Sequence, residues 1–373
     1  MARAFNHYGW KVSPYTAKTR AYLTYQSFRF NDIEPTALAL YGQIKPQIGR
    51  IIMPTVKLND GQWIQDSSNI IDHFEENGCR LSGRPSGPVQ AFASSLLEVF
   101  ADEWLPMAAL HYRWNIEQNH EYALNEFSRS GFPWLPRLVG RRLIRPMADK
   151  MRSYLPVLGV SQVTIPGVEE TTLATLTCLN TQLSQTPYVF GWRACIGDFA
   201  LFGPLWAHLY RDPGSRHLFD SFPAVREWID RLKTGYQADG QFVENDQIPA
   251  ALAPLFALIM DDQWAWINTL VTQIDRYCSD TPDARRVPRA LGVAPFTIRG
   301  LPGERKLITG VQWKAQRVRR CYDAAPDHCE AWLRTLPAHD GKRQRVIPTI
   351  KNRLTYHEHA MVLEAPLTTP SMD

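Results

Sequence analysis

A proline stands where a strand should be gathering its hydrogen bonds. The run Ile51–Leu58 reads as a β-strand closed by the Asn59-Asp60-Gly61 turn, with Trp63-Ile64 as its hairpin partner. Pro54 has no N–H to give a neighbouring strand. It therefore fits either as a trans proline at a strand start, or with a cis bond that turns the Met53 backbone groups towards a peptide-like ligand. The segment alone supports both readings. Its flanks define the unit around it. Phe5–Trp10 reads as a short strand, and Lys18–Phe28 as a helix with Ala21, Tyr22 and Tyr25 on one face. From Ser67 the spacing of Ile70, Ile71 and Phe74 predicts a second helix with one buried face. Strand, helix, linker, hairpin and helix make a compact α/β unit over residues 1–80.

The loop Arg80–Pro88 is rich in Gly, Pro and Ser and reads as a linker. Residues 89–245 read as an all-helical domain, with long apolar-periodic stretches at 90–112, 168–184 and 198–211. Residues 246–373 form a C-terminal extension, read as a lid, an oligomerisation element or a partner surface: a helix pair near 250–278, strands at Phe296–Arg299 and Lys306–Val311, and a Pro/Thr/Ser-rich tail after Leu363 that is expected to fray. The fold class expected is α+β. Hydrophobic residues make up 45% and charged residues 21%, which excludes wholesale disorder and collagen-like structure.

Charge is unevenly spread. The whole chain carries +4, yet residues 285–353 hold 16 Lys/Arg against 5 Asp/Glu. The overall balance is too mild to imply a nucleic-acid partner. The clusters Arg317-x-Arg319-Arg320 and Lys342-Arg343-x-Arg345 are expected to be solvated faces. Trp264, Trp266, Trp313 and Trp332 argue that much of the extension is packed structure. Six cysteines with no CxxC pair exclude a disulfide scaffold or a zinc ribbon, and no metal site is expected. Met1–His7 lacks the apolar stretch of a signal peptide, and the longest apolar run, Ala250–Met260, is too short for a membrane span. A cytoplasmic protein is expected.

Two helix starts carry chemistry worth weighing against plain capping, and a third is read as structural. Ser13-Pro14-Tyr15-Thr16-Ala17-Lys18-Thr19-Arg20 lies between a strand and a helix, so the Ser13 hydroxyl can cap the helix or stabilise an anion such as a thiolate. Gln65-Asp66-Ser67-Ser68 opens the next helix. Ser67 with backbone amides can receive a carboxylate and Asp66 an ammonium group, or the pair can simply cap. Cys195-Ile196-Gly197-Asp198 opens an apolar helix, where Asp198 suits the dipole while Cys195 is a poor cap that predicts a weak start.

In this order, Ser13-Pro14-Tyr15-(x2)-Lys18-Thr19-Arg20, Met53-Pro54, Asp66-Ser67-(x2)-Ile70-Ile71 and Cys195-(x2)-Asp198 resemble the glutathione transferase superfamily, over roughly residues 4–235. The resemblance implies a thioredoxin-like N-terminal domain, an all-helical second domain, and glutathione as co-substrate between them. It puts Ser13 at the position of the catalytic serine of zeta-like members and of the cysteine of omega-like ones. Met53 then precedes the cis-proline that pairs with the cysteinyl part, and Asp66 and Ser67 hold the γ-glutamyl end. Arg20 and Asp198 look like the family's structural charged positions. Tyr8, near the end of the first strand, is the alternative thiolate activator. The Gly-Lys-Val often found before the proline is here Gly49-Arg50-Ile51-Ile52-Met53, so Gln43, Lys45 and Arg50 are candidates for the glycyl carboxylate.

The second substrate's pocket is expected on the first long helix of the helical domain, from Trp104, Met107, His111, Tyr112 and Trp114, with Tyr15 lining the cleft. His111 is a possible general acid there, or a satisfied core residue. The expected activity is transfer of the glutathione thiolate to a bulky hydrophobic, aromatic electrophile by substitution or addition, with ether cleavage and dehalogenation as variants. A non-catalytic binding module on the same fold is the alternative. The resemblance implies a homodimer. An extension lying over the dimer face leaves a monomer open.

Overall fold

The computed structural model describes residues 4–236, 240–338, 345–357 and 360–364. Its first helix, α1 (Pro14–Tyr25), follows β1 (Phe5–Tyr8) and starts a turn earlier than the apolar periodicity suggests. Ser13 is its N-cap and accepts from the Thr16 N–H at 3.3 Å, while Pro14 takes a first-turn place where no N–H is missed. The helix ends in a Schellman turn: Ser27 adopts φ +59° and the Phe28 N–H reaches the Leu23 carbonyl at 3.0 Å. β2 (Phe30–Ile33) pairs in parallel with β1. On the inner face of β1, buried His7 bonds Asp32 at 2.9 Å and Thr19 at 2.7 Å, and Arg20 bonds Asp32 at 2.6 Å.

A linker of α2 (Ala37–Ala39), a π turn (Leu40–Ile44) and α3 (Lys45–Ile48) leads to Met53–Pro54, whose peptide bond is cis. Because Pro54 has no N–H for the ladder, β3 is confined to Thr55–Lys57, shorter than the predicted run. β4 (Trp63–Gln65) completes a sheet of order β2-β1-β3-β4. α4 (Ser67–Glu76) buries Ile70, Ile71 and Phe74, the last against Phe5 and Phe28 at ring distances of 4.8 and 4.7 Å. Register then fixes the geometry of one end of the sheet. Tyr8 lies opposite Thr55, and Thr55 opposite Gln65. The end of β1, the start of β3 and the end of β4 thus share an edge. From it leave the segments carrying Ser13, Met53-Pro54 and Asp66-Ser67.

The middle of the chain is helical: α5 (Pro88–Val99), a π turn (Phe100–Trp104), α6 (Pro106–Asn115), α7 (Glu117–Gly131), α8 (Arg137–Arg152), α9 (Tyr154–Val157), α10 (Ile165–Leu183), α11 (Ile196–Pro204) and α12 (Pro223–Thr234). α11 is buried along its whole length and lies against α1. Gly203 permits this contact, since a Cβ there would stand 2.6 Å from the Pro14 carbonyl oxygen. The start of α11 corrects the expectation of a weak cap. Cys195 and Asp198 form a capping box, and the Asp198 carboxylate accepts from Cys195 N–H at 2.9 Å, Val189 N–H at 3.0 Å and the Trp228 indole at 2.9 Å. Buried Arg113 ties α6 to Asp212 at 2.7 and 2.8 Å, and donates to the carbonyls of Val12 and Ala207 at 2.8 and 2.7 Å.

The remainder packs onto both earlier parts. It comprises α13 (Ala253–Leu258), a π turn (Ile259–Trp264), α14 (Ala265–Asp280), a hairpin of β5 (Ala290–Ile298) and β6 (Leu301–Ile308), α15 (Gly310–Ala324), α16 (Pro326–Thr335), and a second hairpin of β7 (Leu354–His357) and β8 (Ala360–Leu363). The first hairpin differs from the predicted strands because its two-residue turn is Arg299-Gly300, with φ of +50° and +78° in the manner of a type I′ turn. Val311, expected in a strand, lies in the first turn of α15 instead. The tryptophans are packed as expected: Trp264 and Trp266 are buried, Trp332 meets Phe92 and Phe256 at 5.9 and 5.0 Å, and Trp313 meets Tyr356 at 5.2 Å.

Arg317, Arg319 and Arg345 are paired within the fold, where solvated faces were expected. Arg317 bonds Asp72 at 2.9 Å, and Arg319 pairs with Asp323 at 2.6 Å, leaving Arg320 exposed. Arg345 grips Asp261 at 2.9 and 2.8 Å. Lys342, Arg343 and the tail beyond Glu364 lie outside the described residues. No described helix is long and apolar enough to cross a membrane. Replacing Arg113 by Met leaves Asp212 buried without its cation. That loss is expected to lower stability by about 3–5 kcal/mol in urea unfolding, with part regained on adding Asp212→Leu. An unchanged midpoint for the single variant would show the pair to be dispensable.

Candidate functional site

At the shared edge of the sheet, Ser13 and Met53 are half-buried and Pro54 and Ser67 are buried. Asp66 adopts φ +74°, in a region that a non-glycine residue occupies only at a cost of order 1–3 kcal/mol. Its Oδ1 caps α4 by accepting from the N–H groups of Ser68 at 2.8 Å and Asn69 at 3.4 Å. Tyr8 stacks on Trp63 at 5.5 Å, and its hydroxyl accepts from the Asn6 amide at 3.2 Å. That hydroxyl therefore points back along β1, away from Ser13. Tyr15 donates to the Asp102 carbonyl at 2.9 Å. Of the three candidates for a glycyl carboxylate, Gln43 is exposed and Lys45 lies 5.7 Å from the Tyr41 ring. Arg50 is instead drawn under the chain's C-terminal part, 5.3 Å over the ring of Tyr356.

Beneath Asp66 lies a charge cluster that the local sequence did not announce. Lys18 bonds Glu98 and Asp102, both at 2.8 Å. Lys314, from α15, bonds Asp66 at 3.3 Å, Asp102 at 3.1 Å and the Ser68 hydroxyl at 2.6 Å. The Ser68 hydroxyl donates to Glu98 at 2.7 Å and also accepts from Lys18 at 3.3 Å. Arg317 reaches Glu98 at 3.4 Å besides Asp72, which also takes Arg84 at 2.5 Å. Burial pushes the Asp66 carboxyl up, but Lys314 and Lys18 outweigh it and hold the group below the usual carboxylate range. Burial likewise opposes Glu98, and Arg317, Lys18 and Lys314 together hold it well below. Burial alone would lower the Lys314 pKa, but the facing carboxylates Asp66, Asp102 and Glu98 raise it instead. Lys314, Arg317, Glu98 and Asp102 lie hundreds of residues apart in part, so only the basic excess of residues 285–353 hinted at them.

Residues 8–78 match the glutathione S-transferase N-terminal domain family. Over these residues the chain carries the features of that N-terminal domain. No curated protein matches the chain by sequence. Among solved structures, the chain is similar to a glutathione S-transferase from Xanthobacter autotrophicus Py2 at 19% identity, over 65% of this chain and 97% of that one, with a TM-score of 0.38. It is also similar to the β-etherase LigF from Sphingobium sp. strain SYK-6 (18% identity, 62% of this chain and 95% of that one, TM-score 0.40). A glutathione S-transferase from Methylobacterium radiotolerans, in complex with glutathione sulfonate, is similar at 17% identity over 66% of this chain and 100% of that one, with a TM-score of 0.40.

The open aromatic cleft expected from the sequence is filled by the chain itself. Trp104 and Met107 are buried beneath the β5–β6 hairpin, where Phe296 meets Trp104 at 5.9 Å. The Arg305 guanidinium lies 4.9 Å over Trp104 and 4.5 Å over Trp266, and donates to the Glu103 carbonyl at 2.6 Å. Trp114 packs into a different cluster, against Phe127 at 6.0 Å and His120 at 5.5 Å. His111 is buried and bonded to Glu169 at 3.2 Å and Asn115 at 2.9 Å, with Tyr112 beside it. These five residues thus serve as core, and the cover that a substrate was expected to supply comes from Phe296 and Arg305. Gly167 on α10 lets the hairpin settle, since a Cβ there would meet the Ile298 carbonyl oxygen at 2.7 Å.

Glu103, missed by sequence reasoning, stands next to this cover. Burial pushes its carboxyl up to about 7, even with Lys314 nearby, and the Asp102 charge adds to the rise. The folded protein then holds a proton on Glu103 that the unfolded chain releases near pH 4.5, so its contribution to stability falls as pH rises from about 4.5 to 7. Glu103→Gln removes that loss. The variant is expected to gain about 2 kcal/mol over wild type at pH 8, after allowance for partial exposure, and nothing at pH 4. Parallel stability curves from pH 4 to 8 would refute a raised Glu103.

Proposed function

We propose that the protein is a glutathione transferase in which Ser13 stabilises the thiolate. The observation that supports this most directly is the register of the sheet, which sets the Ser13, Met53-Pro54 and Asp66-Ser67 segments along one edge. Met53 offers backbone groups to a peptide-like ligand there, Ser67 stands at the first turn of α4, and the Ser13 hydroxyl, although a cap acceptor for Thr16, keeps its own proton to donate. The orientation of Tyr8 towards Asn6 favours Ser13 over the tyrosine. A free thiol near pKa 8.5 is only about 3% ionised at pH 7. Stabilising the anion by about 2.7 kcal/mol lowers that pKa by about two units, enough to ionise most of it. The thiol proton passes to water. The sulfur then forms a C–S bond to an electrophilic carbon, whose leaving group departs with the bonding electrons in a substitution.

α15 packs on α5, with Tyr322 against Phe92 and Arg317 against Glu98.

A second reading has its own support. A binding module without turnover is favoured by the hairpin that fills the apolar cleft. Calorimetry with millimolar glutathione, together with the ultraviolet absorbance of bound thiolate across pH, separates the two. The transferase reading expects binding with a thiol pKa depressed by about two units, returning towards 8.5 in Ser13→Ala. A depression that survives Ser13→Ala moves the role to Tyr8, and absence of binding removes the enzyme reading altogether.

A further inference from the structure

Lys314 stands where an arriving ammonium group would be needed. Asp66 is the carboxylate at the sheet edge suited to pair with an amine, and its side chain keeps 28% of its surface exposed, so a ligand can reach it. Yet its Oδ1 already holds two α4 amides and the Lys314 ammonium at 3.3 Å. Lys314 cannot readily leave. Its side chain is only 5% exposed, and Asp102 at 3.1 Å and Ser68 at 2.6 Å anchor it from the other side.

The surrounding charges are balanced without a ligand. Asp66, Asp72, Glu98 and Asp102 face Lys18, Arg84, Lys314 and Arg317. A second ammonium brought to Asp66 would meet a carboxylate already neutralised and a like charge anchored beside it. Like charges at such distances repel by amounts that a partly screened site does not erase. A carboxylate brought to Ser67 meets no such penalty, because Lys314 adds a positive charge on that side.

We propose that Lys314 is the resident cation of the amine subsite and sets co-substrate specificity, so that the chain accepts a thiol tripeptide whose γ-linked end carries a carboxylate and no ammonium group at least as well as glutathione. This rests on the reading of the sheet edge as a glutathione-type site. It makes Lys314 a specificity-determining residue supplied by the C-terminal extension, reaching across 248 residues of chain to Asp66.

The test is a cycle between ligand and protein. Binding of glutathione and of its deaminated analogue, with a glutaryl group in place of the γ-glutamyl group, is measured by calorimetry on wild type, Lys314→Met and Lys314→Arg. In wild type, deamination is expected to change Kd by less than about threefold or to tighten binding. In Lys314→Met the freed Asp66 is expected to favour glutathione over the analogue by about tenfold, or 1.4 kcal/mol. Lys314→Arg, which keeps the cation, is expected to behave as wild type. Should Lys314→Met fail to fold, the wild-type ratio still decides. A wild type that prefers glutathione by tenfold or more overturns the proposal and leaves the glutathione site standing. Binding of neither ligand to any of the three proteins overturns both.

Discussion

One serine hydroxyl, on Ser68, holds together four segments of the chain. It accepts from Lys18 of α1 and Lys314 of α15 and donates to Glu98 of α5, while belonging itself to α4. Around it, buried lysines and carboxylates stand in contact, and each would cost several kcal/mol to bury alone. Their mutual pairing is what lets α1, α4, α5 and α15 meet in one place. The thioredoxin-like sheet, the helical region and the extension are joined through this cluster as well as through apolar packing. It also accounts for the uneven charge of the sequence. The basic excess of residues 285–353 answers acidic groups elsewhere: Lys314 and Arg317 meet Asp66, Asp72, Glu98 and Asp102, Arg299 meets Glu170, and Arg345 meets Asp261.

The edge of the sheet is where conformation and chemistry coincide. Ser13 caps α1 as an acceptor and keeps its hydroxyl proton to donate, so capping and anion binding are compatible there. Asp66 caps α4 from a positive φ with the same oxygen that Lys314 holds, so capping there comes together with a resident cation.

Much of this was legible because it is local. Pro54 in an apolar run, the Asn59-Asp60-Gly61 turn, and Ile70, Ile71 and Phe74 at helical spacing each report on their own neighbourhood. Together they gave the α/β unit, the helical middle and the resemblance. What escaped depends on distant partners. The weak cap expected of Cys195 is made good by Asp198, which also binds Val189 and Trp228. The β5–β6 turn uses Arg299-Gly300, without the Asn-Gly or Asp-Gly signal that marks such turns. Trp104 and Met107 have the composition of a pocket wall, and composition does not distinguish a wall facing a ligand from one facing Phe296 and Arg305. Lys314 sits among other basic residues, with nothing nearby in sequence to mark it as buried.

The order in which the chain is made gives the Ser68 cluster a further meaning. Glu98 and Asp102 are synthesised early, with Lys18 already available to them, but Lys314 follows Asp102 by 212 residues. Until then Asp66, Asp72, Glu98 and Asp102 outnumber Lys18 and Arg84, and Trp104 lacks the cover of Phe296 and Arg305. Domains generally settle in order of synthesis. Here the first unit can assemble its sheet early, yet its electrostatic completion waits for nearly the whole polypeptide.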